Sequence, residues 1–94
     1  VDKYLLKLYI AGQSQKSASL IANLHQMCDE QLSGHYEVVI IDVLEQPQLA
    51  EADKILATPT LIKQFPPPVC RIIGDLSDAQ KVAQGLGLRP KDNG

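Results

Sequence analysis

A mixed α/β domain with the order βαβαββα is predicted for this chain by three observations. Residues 3–44 read as strand, helix and strand, with the two strands compatible with parallel pairing. Pro59 stands directly before a strand-like run, Thr60-Leu61-Ile62-Lys63-Gln64-Phe65. Pro66-Pro67-Pro68 then separates that run from a second short apolar run and a closing helix. At 94 residues the chain is one domain, 1–94, long enough to bury roughly 60–68% of its unfolded surface.

The first strand is Tyr4-Leu5-Leu6-Lys7-Leu8-Tyr9-Ile10, whose alternation sets Tyr4, Leu6, Leu8 and Ile10 on one face. A polar loop, 12–16, follows. Leu20, Ile21, Leu24, Met27, Cys28 and Leu32 recur at helical spacing and form one buried stripe. Ser14 or Ser17 suits the N-cap of that helix, and Gly34 is expected to end it. Val38-Val39-Ile40-Ile41 is apolar on both faces, which predicts a central strand, covered on both sides and paired in parallel. With the helix as crossover, this makes a right-handed βαβ unit.

Gln46-Pro47 opens a short second helix, because proline is suited to the first helical position. Leu49, Ala52 and Leu56 are its expected buried side. The three prolines forbid a helix and force a stiff, extended connection. Val69-Cys70-Arg71-Ile72-Ile73 returns as an antiparallel strand ending at Gly74. Ser77-Asp78-Ala79-Gln80 is a capping-box pattern, and Val82, Ala83 and Leu86 supply the apolar face of the helix it begins. The front half is locally consistent. The back half is weakly specified: 53–65 carries both helical spacing and strand composition, and Gly85 and Gly87 each cost roughly 0.5–1 kcal/mol in a helix interior.

Composition narrows the function. A net charge of −2 lacks the basic excess of a nucleic-acid binder. No apolar run approaches the ~20 residues that span a bilayer, and Val1-Asp2-Lys3 carries no signal-peptide pattern, so a cytoplasmic protein is expected. A chain opening on Val1 is expected to have been trimmed of a native N-terminal segment. Cys28 and Cys70 belong to no CxxC or metal-ligand spacing and read as reduced thiols. His25 and His35, ten residues apart, belong to no paired metal-ligand spacing, which argues against a metal site. Asp42, at the end of an apolar strand, reads as a carboxylate satisfied by amides rather than a catalytic acid.

Ala57-Thr58-Pro59-Thr60-Leu61-Ile62 resembles the proline-before-a-strand element of a thioredoxin-like fold, where the Thr58–Pro59 bond is cis. The place where such a fold carries its redox cysteines reads Ser14-Gln15-Lys16-Ser17. Serine has no redox chemistry, and its nucleophilicity needs an adjacent base. A scaffold without its nucleophile is expected to bind rather than react, so no enzyme activity and no cofactor are expected.

Longer stretches carry a closer resemblance. Leu8-Tyr9-Ile10-Ala11-Gly12, Ile41-Asp42-Val43-Leu44, Pro47-Gln48-Leu49-Ala50-Glu51 and Asp53-Lys54-Ile55-Leu56-Ala57-Thr58-Pro59-Thr60-Leu61 resemble the KaiB family of circadian clock proteins. So do Pro66-Pro67-Pro68-Val69 and Arg71-Ile72-Ile73-Gly74-Asp75-Leu76-Ser77. The chain departs from the family pattern at Ser19, Ala22, Cys70 and Gly87, and it ends on Arg89-Pro90-Lys91-Asp92-Asn93-Gly94 in place of an acidic tail.

The resemblance implies a regulator that binds a KaiC-type hexameric ATPase and modulates its phosphorylation state, in a circadian clock or a related timing or stress pathway. It implies two folds. One is thioredoxin-like; the other is a ground state, βαββααβ, that shares the first half and self-associates as a dimer or tetramer. It places partner contacts at Lys54, Lys63, Arg71, Tyr36, Gln48 and Leu49. It places the switch between folds at Tyr4, Pro59, Pro66, Pro67, Pro68, Gly85 and Gly87. A KaiA-like protein or a histidine kinase stands open as a further partner. The rival readings are the thioredoxin-like sensor domain of a KaiC-interacting histidine kinase and, behind it, a redox or stress protein.

Overall fold

The computed structural model describes residues 3–33, 35–65, 67–74, 76 and 79–86. Its elements are β1 (Tyr4–Ile10), α1 (Gln15–Leu32), β2 (Tyr36–Asp42), α2 (Pro47–Ala52), β3 (Thr60–Phe65), β4 (Cys70–Ile73) and α3 (Ala79–Gly85). The order is the βαβαββα expected from the sequence. The four strands form one sheet in the order β2-β1-β3-β4. β1 and β2 are parallel, with Leu6 opposite Val38 and Leu8 opposite Ile40. β3 runs antiparallel to β1 and to β4. Ser77 and Asp78, the expected start of the last helix, lie outside the described residues, as do Gly34, Pro66, Gly87 and 88–94.

Alternation along the strands gives the sheet two unlike faces. Leu6, Leu8 and Ile10 of β1 and Leu61 of β3 pack with Leu24, Met27 and Cys28 of α1 and Val82, Ala83 and Leu86 at α3. Tyr4, Leu20, Ile21, Leu32, Val38, Ile40 and Ile72 close around them. The opposite face holds a smaller cluster, Tyr9, Ile41, Ala50 and Ile62, with Val43 and Ile55 against it. α2 covers that face.

Three expectations are corrected. β2 is an edge strand rather than a central one, and Val39 is 37% exposed. An apolar run on both faces reports a potential for cover, and the cover on this face is a helix of only six residues. That shortness also explains the second correction. Ala50 and Ile55, not Leu49, Ala52 and Leu56, pack inward; Leu49 and Ala52 are exposed, and Leu56 is 93% exposed. Third, the left-handed residue that ends α1 is Ser33 (φ 53°), ahead of Gly34.

Candidate functional site

The start of α1 and the approach to β3 meet where a thioredoxin-like fold would hold its redox pair. Ser14 is the N-cap: the Ser17 amide donates to Ser14 Oγ at 3.2 Å. Ser17 Oγ donates to the Gly12 carbonyl at 3.2 Å. Both hydroxyls are therefore engaged in shaping the loop and helix start. The peptide bond before Pro59 is cis, as the resemblance expects, and so is the bond between Pro67 and Pro68. Thr60 Oγ1 donates to the Ala57 carbonyl at 2.6 Å, and the Gly74 amide donates to the Pro59 carbonyl at 3.1 Å. Gly74 has φ +102°, a conformation suited to glycine.

No thiol sits at this place. Cys28 is buried in the core and Cys70 is half-buried on β4. Burial, reinforced by the neighbouring Asp29 charge, pushes the Cys28 thiol up to about 12, so it stays protonated near neutral pH. Asp42 accepts from the Gly12 and Leu44 amides, each at 2.9 Å, which fits the strand-end carboxylate expected of it. Among the described residues no three His, Cys, Asp or Glu side chains are grouped to hold a metal ion. No helix among them is long and apolar enough to cross a membrane.

The other face of the sheet carries a polar cluster centred on Asp53, just past α2. Its carboxylate accepts from the Tyr9 hydroxyl and from Lys7 Nζ at 3.1 Å. The Tyr9 bond, with the Lys7 cation beside it, holds the Asp53 carboxyl below its usual range. Burial and that same bond push the Tyr9 phenol up to about 12. From β4, Arg71 Nη2 donates to the Asp53 carbonyl at 2.6 Å, and Nη1 reaches the Lys54 carbonyl at 3.5 Å. Lys54 is exposed and left-handed, with φ +56°.

These contacts sort the predicted partner residues. Lys54, Arg71, Gln48 and Leu49 lie together, all exposed, on α2, the turn after it and the strand that faces it. Tyr36 and Lys63 lie on the opposite face of the sheet. Tyr36 pairs with Tyr4 in register; its hydroxyl donates to Asp29 Oδ1 at 2.8 Å and sits 3.2 Å from His25 Nδ1. Burial and the Asp29 bond push that phenol up to about 12. The resemblance places a partner contact at Lys63, which needs an accessible ammonium. Instead it is 4% exposed, opposite Leu6, with its ammonium 5.8 Å from the centre of the Tyr4 ring. It is thus no surface cation in this fold.

Of the predicted switch residues, Tyr4 is half-buried beneath Lys63, and Pro67 and Pro68 are exposed. Gly85 closes α3 so tightly against β4 that a Cβ there would sit 2.8 Å from Ile72 Cδ1. Pro66 and Gly87 lie outside the described residues. Asp53, Tyr9 and Lys7 escaped the sequence reading. The signals available were a lone lysine and a tyrosine on the strand face opposite the apolar one.

Comparison with known proteins agrees with this geometry. The N-terminal domain of Synechococcus elongatus SasA superposes with a TM-score of 0.67 and 27% identity, over 93% of this chain and 86% of that one. Chloroplastic thioredoxin z gives 0.70 and 28%, over 92% and 77%. The circadian clock protein KaiB3 of Synechocystis sp. is 54% identical over 91 residues, 97% of this chain and 89% of the relative. The circadian clock oscillator protein KaiB of Prochlorococcus marinus (strain MIT 9312) is 56% identical over 85 residues, 90% and 81%. A family profile described as the KaiB domain matches residues 7–88. Matched by that profile over residues 7–88 and by clock proteins along nearly its whole length, this chain belongs to the KaiB family.

Proposed function

We propose that this chain is a non-enzymatic, cytoplasmic regulator that binds a KaiC-type hexameric ATPase and modulates its phosphorylation state, in a circadian clock or a related timing pathway. The observation that carries this reading is the conversion of the redox position into a helix cap. Ser14 and Ser17 spend their hydroxyls on the loop and the first turn of α1, and neither cysteine stands there. We read a scaffold without a thiolate at this position as offering surface rather than chemistry.

The surface we assign to the partner is α2 with the turn after it, where Gln48, Leu49 and Lys54 are exposed beside Arg71. Leu44 and Leu56 add apolar area, 71% and 93% exposed. The thioredoxin-like wiring is the form we assign to capture, and the βαββααβ wiring is the self-associated reserve. If the capture-competent form is a minor population, apparent affinity falls by its fraction. Size-exclusion of the chain with the cognate KaiC-type hexamer and nucleotide tests the reading. Co-elution, with an altered phosphorylation level of the ring, is expected; separate elution at all nucleotide states refutes it.

The thioredoxin-like architecture leaves a second reading, the sensor domain of a KaiC-interacting histidine kinase. Competition between the isolated chain and a kinase sensor domain for the same ring separates the two roles. For the remote redox reading, thiol-dependent insulin reduction abolished by substitution of Cys28 or Cys70 is the result that counts.

A further inference from the structure

Arg71 acts inside the molecule in this structure. The end of α2 forms two bonds that close a left-handed helix terminus: the Lys54 amide donates to the Glu51 carbonyl at 3.1 Å, and the Ile55 amide to the Ala50 carbonyl at 2.8 Å. Ala50 and Ile55 share the apolar cluster beneath, as such a terminus favours. The residue at its left-handed position is normally glycine, and here it is Lys54 at φ +56°. Something must offset that strain. The Asp53 and Lys54 carbonyls, at the negative end of the helix, receive the Arg71 guanidinium from β4.

The donor reaches them because of strand register. Arg71 is opposite Ile62, on the face that α2 covers, whereas Cys70 and Ile72 are opposite Lys63 and Leu61 on the other face. A slip of one residue would turn Arg71 away and bring Cys70 or Ile72 to this face, and neither can donate a charged bond to a carbonyl. We propose that Arg71 is a positioning residue: by capping α2 from β4 it holds Lys54 in its left-handed conformation, and it thereby ties the shape of the α2 turn to the pairing of β4 with β3. This deepens the proposed binding role of the same surface and rests on that reading for its functional consequence. Its structural content stands apart.

Amide hydrogen exchange followed by NMR tests it without any partner, on the free monomer with the Ile62–Arg71 strand pairing first verified by cross-strand contacts. In R71A the Lys54 and Ile55 amides are expected to exchange about five- to tenfold faster, for one exposed charged bond lost. The Leu8 and Leu61 amides, in the sheet interior, are expected to hold. R71K is expected to fall between, since an ammonium can donate to one carbonyl at a time. R71A/K54G is expected to return towards the parent rate, because glycine removes the strain that Arg71 offsets. Unchanged exchange at Lys54 and Ile55 in R71A overturns the proposal, and if capture by the ring is lost as well, Arg71 is a direct contact. Should R71A not fold, R71K exchanging at the parent rate at both amides overturns it equally. Failure of the chain to bind any ring refutes the binding role and leaves these rates untouched, so the two failures are distinguishable.

Discussion

Replacing Asp53 by alanine removes a carboxylate that ties the end of α2 to the centre of the sheet, and its cost follows from the contacts. The Tyr9 hydroxyl loses a charged acceptor while the residue stays 0% exposed, and the Leu49 carbonyl at 3.4 Å is a long substitute. A hydrogen bond to a charged group contributes about 1.5–3 kcal/mol. The Lys7 pair, with side chains 26% and 24% exposed, adds about 0.5 kcal/mol after solvent screening. D53A should therefore lose about 2–3 kcal/mol, read as a fall of roughly 10–20 °C in Tm for a domain of this size. D53N keeps an acceptor for Tyr9 and should lose about half as much. A double-mutant cycle of D53A with Y9F should give a coupling of about 1–2 kcal/mol. Acid adds a sign test. The Asp53 carboxyl is held below its ordinary value of 3.8, so its stabilisation is present above about pH 4 and is lost as pH falls through the folded-state value. The gap between the parent and D53N should narrow by pH 3 in urea titrations. A D53A variant within about 0.5 kcal/mol of the parent, strict additivity with Y9F, or a gap constant with pH refutes the reasoning.

At the alkaline end, Tyr9 and Cys28 both rise to about 12 in the folded protein, from ordinary values of 10.0 and 9.0. Their contribution is complete below about pH 9 and is lost between pH 9 and 12, so urea midpoints should fall across that window and Y9F should flatten the part above pH 10. At pH 8 an alkylating reagent should label Cys70 and spare Cys28, which is 0% exposed; equal labelling rates in the native protein contradict the packing of α1. S14A should cost about 1 kcal/mol and S14G only a few tenths, measured by thermal melting, because Ser14 caps α1 through the Ser17 amide. K54G should raise stability by about 1 kcal/mol, since glycine takes the left-handed position without strain.

Much of the fold was legible where local pattern and tertiary place agree. The alternation of β1, the apolar stripe of α1 and the apolar triplet Val82, Ala83 and Leu86 all face the core to which their periodicity points. Asp42 and Ser14 were legible because a local amide serves each, that of Leu44 for Asp42 and that of Ser17, in the first turn of α1, for Ser14. What failed needed information from distant elements. The edge position of β2 depends on β3 taking the other side of β1, and the 38–41 run carries no trace of it. Leu49, Ala52 and Leu56 looked buried by spacing, yet the short α2 turns Ala50 to the sheet and ends at Ala52, and the left-handed turn at Lys54 leaves Ile55 rather than Leu56 facing inward. Lys63 sits one strand position pair from Leu61 and so inherits the core face; Tyr4, far away in sequence, gives its ammonium a place to rest. The Asp53 cluster draws on β1, α2 and β4 at once, and no spacing in the chain announces it.

The two faces of the sheet are held by different physics, and this bears on where regulation can reside. The α1–α3 face, Lys63 apart, is filled by apolar side chains, whose burial is non-directional and tolerant of small shifts. The α2 face buries four apolar residues and relies on directional bonds from Tyr9, Lys7 and Arg71 onto the single residue pair Asp53 and Lys54. Two of those donors come from β1, in the half of the chain with strong local patterning. The third comes from β4, in the half whose pattern is weak. A bond that requires correct register makes a poor general stabiliser and a sensitive reporter of wiring. The α2 turn, with Lys54 exposed upon it, is therefore formed in full only when the weakly specified half has adopted this strand order, so a change of wiring there alters the assigned partner surface without any residue of that surface being replaced.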